Sequence, residues 1–124
     1  MQSINNVTTM RVTRSLALSE EKEGGLICMR GEQMGRRISL PCDENVVLGR
    51  DATACACAIR DAQVSRKHCV IAYIPAMNQY RVTDNSKNGT FLGNGERLEN
   101  GREYYLSSGE ELYLGNKNNL FKLC

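Results

Sequence analysis

A single histidine, His68, stands in this chain of 124 residues, and that scarcity closes off whole classes of chemistry. A metal centre needs several ligands at workable spacing, and one imidazole beside six scattered cysteines does not supply them. No metal and no other cofactor is expected. A nucleophile, a base and a third orienting group are equally missing as a set. Ser65 and His68 are the one pair that suggests a hydrolase dyad, but they lie three residues apart at the entry to a strand, which is poor geometry for it. No enzyme is expected.

Other shortages narrow the reading further. No apolar run approaches the length of a membrane span, and no signal-peptide core stands near the start. A cytoplasmic protein without membrane contact is expected. Net charge is only +2, too balanced to argue for nucleic acid. The six cysteines (Cys28, Cys42, Cys55, Cys57, Cys69 and Cys124) sit mostly in apolar runs, so buried free thiols are favoured over disulfides. Helical periodicity is nearly absent.

What is present is β patterning. Residues 1–24 are polar and run into the Gly24-Gly25 pair, and read as a mobile tail or linker. From residue 25 to 124 the chain reads as one domain. Short apolar or alternating runs fall at 26–30, 36–40, 46–50, 55–60, 69–74, 79–83, 91–92, 97–98, 104–106, 112–114 and 120–123, punctuated by glycines and closed twice by Pro41 and Pro75. Ten to eleven short strands at this spacing predict an all-β sandwich, with binding residues on loops at one end.

Three of those loops carry matching chemistry. Arg50 follows Gly49 at the end of an apolar strand and presents a planar fork. Ser65, Arg66 and Lys67 add a hydroxyl and two charges. Lys87 and Asn88 add an ammonium and a carboxamide at the tip of a tight Asn-Gly turn between two strands. Asp61 and Asp84 are placed to brace loops, and His68 to brace from inside. Each piece alone is ordinary: a surface Gly-Arg, a solvated turn, a hairpin. Together they make a small cationic pocket suited to a phosphoryl group of about −1.5 to −2 charges. Each charge-assisted hydrogen bond there contributes roughly 1.5–3 kcal/mol. Asn88 can pair with a peptide backbone.

In order and spacing, Leu48-Gly49-Arg50, Val64-Ser65-Arg66-Lys67-His68, Asp84-Asn85-Ser86-Lys87-Asn88-Gly89-Thr90-Phe91 and Asn94-Gly95 resemble the forkhead-associated (FHA) signature G-R, S-x-x-H, S-x-N-G-T and N-G. Residues 106–115 are similar to the family's closing segment. The resemblance spans about residues 26–123. It implies a β-sandwich whose apical loops bind phosphothreonine peptides in Ser/Thr kinase signalling. By that resemblance Arg50 and Ser65 contact the phosphate, with Arg66 near it or near the peptide backbone. Lys87 adds a further contact, and Asn88 bonds the peptide main chain. Gly49, His68, Asp84, Ser86, Gly89 and Thr90 shape the loops, and a small cleft accepts the threonine methyl. Gln63 falls where the family reads the residue three after the phosphothreonine, and a neutral amide leaves that preference open.

The pattern has two departures. Lys87 stands where a hydroxyl residue is frequent, and Ala56 where an acidic one is common. The implied partner is a phosphothreonine protein, either a kinase substrate or the kinase itself. Thr8, Thr9 and Thr13 make the chain's own phosphorylated tail a further candidate. The competing reading is a phospho-independent assembly domain on the same fold.

Overall fold

The computed structural model describes residues 23–124. The expected tail over 1–24, with Thr8, Thr9 and Thr13, lies outside the described residues except for its last two positions. Ten strands form: β1 (Gly24–Arg30), β2 (Arg37–Leu40), β3 (Val46–Gly49), β4 (Cys57–Ala58), β5 (Cys69–Ile74), β6 (Gln79–Asp84), β7 (Thr90–Leu92), β8 (Glu103–Leu106), β9 (Glu111–Leu114) and β10 (Leu120–Leu123). They make two five-stranded sheets, ordered β2-β1-β10-β9-β7 and β4-β3-β5-β6-β8. Every ladder is antiparallel except β3 with β4.

The sheets face each other because their strands alternate. Along β6, Tyr80, Val82 and Asp84 turn inward while Gln79, Arg81 and Thr83 lie half-exposed. Leu26, Leu40, Leu48, Ile71, Val82, Leu112, Leu114, Phe121 and Leu123 fill the space between the sheets. Val64 and Leu98 join this core from loops. No disulfide forms among the described residues, and Cys28, Cys57 and Cys69 are buried in it. Burial pushes the Cys69 thiol up to about 12, so it packs as an inert apolar group.

Two runs read as strands come out differently. Residues 97–98 form no strand: Arg97 makes a single bridge with Phe91, and Leu98 drops into the core. Of residues 55–60 only Cys57 and Ala58 pair. Cys55 N–H donates to Asp51 O and closes a turn instead, while Cys57 and Ile59 are buried.

One end of the sandwich is closed by aromatics. The Tyr80 hydroxyl accepts from Gly25 N–H (3.1 Å) and donates to the Cys124 main-chain oxygen (2.7 Å), and its ring lies 5.0 Å from that of Tyr73. The other end carries the loops 31–36, 50–56, 59–68, 85–89 and 115–119. They are stitched to one another by hydrogen bonds rather than left open.

Candidate functional site

His68 is the hub of the loop end. It is fully buried, just before β5. Its Nδ1 accepts the Ser65 N–H (3.0 Å), so Nε2 carries the proton and donates to Gly89 O (2.7 Å). Its backbone N–H donates to Leu48 O, and its carbonyl accepts Asn85 N–H. One residue therefore ties together the end of β3, the Ser65 turn and the 85–89 tip. Burial pushes the imidazole below its ordinary 6.5, which keeps it neutral in this role.

Gly49 permits the close approach of two of these segments. A Cβ there would stand 2.2 Å from Arg66 O, so only a hydrogen fits. Arg50 N–H then donates to Ser65 O (3.0 Å), and the Arg50 Nε to Val64 O (2.9 Å). The second bond holds the exposed guanidinium by its stem and leaves both terminal amino groups without an acceptor among the described residues. Arg50 and Arg66 line one recess of about 400 Å³ with Asp51, Ala52 and Thr53. The Asp51 carboxylate is occupied by Thr53, whose hydroxyl and N–H hold it below the ordinary range.

The 85–89 tip is shaped by a buried carboxylate. Asp84 Oδ1 accepts the Ser86 hydroxyl (2.6 Å), the Ser86 N–H (3.2 Å) and the Thr90 hydroxyl (2.8 Å). The Ser86 hydroxyl in turn accepts Gly89 N–H (2.8 Å). So ordered, the tip lays Lys87 N–H on the Ser65 hydroxyl oxygen (3.0 Å). That oxygen keeps its own hydrogen to donate elsewhere. Asn88 Nδ2 donates to Gln63 O (2.9 Å), which leaves the exposed Oδ1 as an acceptor. The Lys87 ammonium is exposed and has no ion-pair partner among the described residues.

Cationic, hydroxyl and amide groups thus stand on hydrogen-bonded loops at one end of the sandwich. A model of the FHA domain matches residues 46–115, more than half of the chain. The chain belongs to the FHA domain family. Solved FHA domains share its fold. That of the CT664 protein from Chlamydia trachomatis is 25% identical with a TM-score of 0.70, over 82% of this chain and 96% of that one. That of an Arabidopsis thaliana hypothetical protein is 24% identical with a TM-score of 0.71, over 82% and 83%. The N-terminal FHA domain of Rad53p from S. cerevisiae, solved with a phosphothreonine peptide, is 23% identical with a TM-score of 0.65, over 82% and 90%. No curated protein matches the sequence. FHA domains are non-catalytic adaptor modules that mediate protein–protein interaction.

The fold thus gathers Arg50, Ser65, Arg66, Lys87 and Asn88 at one end of this FHA domain, with Gln63 at the rim. Arg60, close in sequence, is taken up by Glu32 (2.6 Å) on the 31–36 loop. Sequence reasoning missed several contributors. Arg97 lies 5.8 Å over the Phe91 ring and donates to Lys87 O (3.1 Å), buttressing the tip. Asn100 donates to Asp84 Oδ2 (3.3 Å) and to Ser86 O (3.1 Å). Gly115 gives its N–H to Gly89 O (2.9 Å), and a Cβ there would stand 2.7 Å from Gln63 O. Asn116 and Asn119 hold Asp61. The concentration of asparagine after Gly115 was the available signal.

Proposed function

We propose that this FHA domain binds phosphothreonine peptides through its loop end, as a phosphorylation-dependent interaction module in cytoplasmic Ser/Thr kinase signalling. The observation that carries the reading is the Ser65 hydroxyl. Its oxygen is committed to Lys87 N–H, so its hydrogen is free for an anion beside the stem-anchored Arg50 fork. In this reading Arg50 and Ser65 hold the phosphate, Arg66 and Lys87 flank it, and Asn88 Oδ1 accepts a peptide N–H. Gly49, His68, Asp84, Ser86, Gly89 and Thr90 hold the loops in place. The Rad53p domain, in complex with a phosphothreonine peptide, shares the fold. The partner is a kinase substrate, the kinase itself, or the chain's own phosphorylated tail.

The test is calorimetric titration with matched peptides carrying threonine or phosphothreonine. Binding confined to the phosphorylated peptide, and lost in Arg50→Ala, is the expected result. Binding indifferent to the phosphate assigns the domain to phospho-independent assembly.

A further inference from the structure

The outer face of β7 and β9 carries an apolar recess that the phosphothreonine reading leaves unused. Strand alternation puts it there. Leu112 and Leu114 turn into the core, so Tyr113 between them points out. Phe91 on β7 stands directly opposite Tyr113 and shares its face, and so does Leu120 on β10. Leu120 is buried, yet it lies apart from the core between the sheets. Phe91 and Tyr113 are only half-buried. With Gly95, Gly115, Asn116 and Lys117 they line a recess of about 330 Å³. The two glycines bring no side chain to fill it. A concavity of this size is at the small end of ligand pockets and admits one large side chain.

The rim of the recess is cationic. Arg97 lies 5.8 Å over the Phe91 ring. Lys117 is exposed, and Arg30 reaches over from β1 to donate to Lys117 O (2.9 Å). None of the three cations has an ion-pair partner among the described residues. Glu96 is the one acidic residue of the 93–97 turn, and Glu111, two residues along β9, stands opposite Lys122. The Asn116 NH₂ is taken by Asp61 (3.0 Å) and by Gln63 Oε1 (2.6 Å). The recess shares no lining residue with the one formed by Arg50 and Arg66. An apolar hollow rimmed by polar groups marks an interaction site, and a buried aromatic or aliphatic anchor is what such a hollow takes. Unpaired cations around it repel one another, and carboxylates of a partner would turn that repulsion into attraction.

We propose that this recess is a second docking site, independent of phosphorylation, for an acidic protein segment that seats one aromatic or large aliphatic side chain on Phe91 and Tyr113. Carboxylates beside the anchor meet Lys117, Arg97 and Arg30. The segment needs no phosphothreonine, so the proposal stands apart from the reading of the loop end.

The experiment is selection of a phage-displayed library of random unphosphorylated peptides against the full chain, followed by titration of the enriched peptides. Enriched peptides should share one aromatic or large aliphatic residue beside Asp or Glu. Their binding should shift the amide resonances of Phe91, Gly95, Tyr113 and Gly115. Lys117→Glu exchanges an attraction for a repulsion and should weaken them about tenfold at low salt, less at high salt. Tyr113→Ser should abolish binding. Thermal melts report whether each variant folds, and should Tyr113→Ser fail, the exposed Lys117→Glu decides. Arg50→Ala should bind these peptides as the wild type does. No enrichment, enrichment of basic peptides, affinity unmoved by Lys117→Glu, or binding lost in Arg50→Ala each overturns the second site. None of these outcomes touches the phosphothreonine reading except the last, which would move the peptides to the loop end.

Discussion

Arg50 and Lys87 both bring positive charge to the loop end, but they are held differently. Arg50 is pinned by its Nε on Val64 O and offers a preorganised fork. Lys87 is fixed only through its backbone, and its ammonium is a mobile point charge in solvent. Arg50→Ala should therefore weaken phosphopeptide binding by about 100-fold or more, since it removes two charge-assisted bonds. Lys87→Ala should cost about tenfold at low salt and less at high salt, because an exposed charge is screened. Titrations at 50 mM and 500 mM NaCl (roughly 14 Å and 4 Å of screening length) separate the two. Equal losses with equal salt dependence would contradict these roles. His68 gives a second prediction at this scale. Its folded-state pKa lies below the ordinary 6.5, so the unfolded chain binds the extra proton first. Stability is then fully present above about pH 6.5 and declines as pH falls below it. Protonation at Nδ1 would also oppose the Ser65 N–H. Thermal melts between pH 5 and 8 should show this decline in the wild type and a flatter curve in His68→Ala, despite its lower stability at pH 7. Asp61 and Asp51 are depressed carboxylates, so their contributions fall away only below about 3.8, outside that window.

At the scale of elements, alternation and turn residues made most strands readable, because a half-buried strand must place apolar groups every second residue. Gln79–Asp84 and Cys69–Ile74 are such cases. The failures share a cause. Leu98 is buried without pairing, and the 55–60 run mixes turn and strand, so apolar content there reports packing and not a ladder. The parallel pairing of β3 with β4 was also illegible, since it depends on where the 50–56 turn delivers the chain. Gly49 shows how an element's end can limit a site. Its Cβ would meet the backbone of Arg66, which cannot swing aside as a side chain tip can. Gly49→Ala should force β3 and the Ser65 turn apart and cost about 1–3 kcal/mol of stability. Binding should suffer more than that figure implies, because Arg50 and Ser65 move with the two separated backbones. Urea unfolding and peptide titration on the same variant check both halves. Unchanged affinity in a destabilised protein would show that the approach matters only to the scaffold.

At the scale of the molecule, the two ends of the sandwich do different work. The groups of the loop end were largely legible because the residues that would meet a ligand must be polar, exposed and near turn signals. Arg50 and Asn88 meet all three conditions, and Ser65, half-buried, meets the first and the last. The supports were harder to see. Asn116 lies 53 residues from Gln63 and Arg97 10 from Lys87, and only the folded chain brings them together. At the far end, Tyr80 joins β6 to β1 and to Cys124 through one buried hydroxyl. Tyr80→Phe takes the acceptor from the buried Gly25 N–H, while the Cys124 oxygen keeps the Ser108 hydroxyl, at a cost of about 1–3 kcal/mol. The ring and its packing on Tyr73 remain, so the sheets keep their spacing and the loops their positions. Tyr80→Phe should thus lower the unfolding midpoint while leaving phosphopeptide affinity unchanged. Asn88→Ala should do the reverse, since its exposed amide adds little to the core but offers the peptide its main-chain acceptor. Measuring midpoint and affinity for both variants gives a crossed pattern if site and scaffold are separable. If Tyr80→Phe weakened binding as well, the two ends would be coupled through the sheets, and the loop geometry would depend on the whole sandwich rather than on its local bonds.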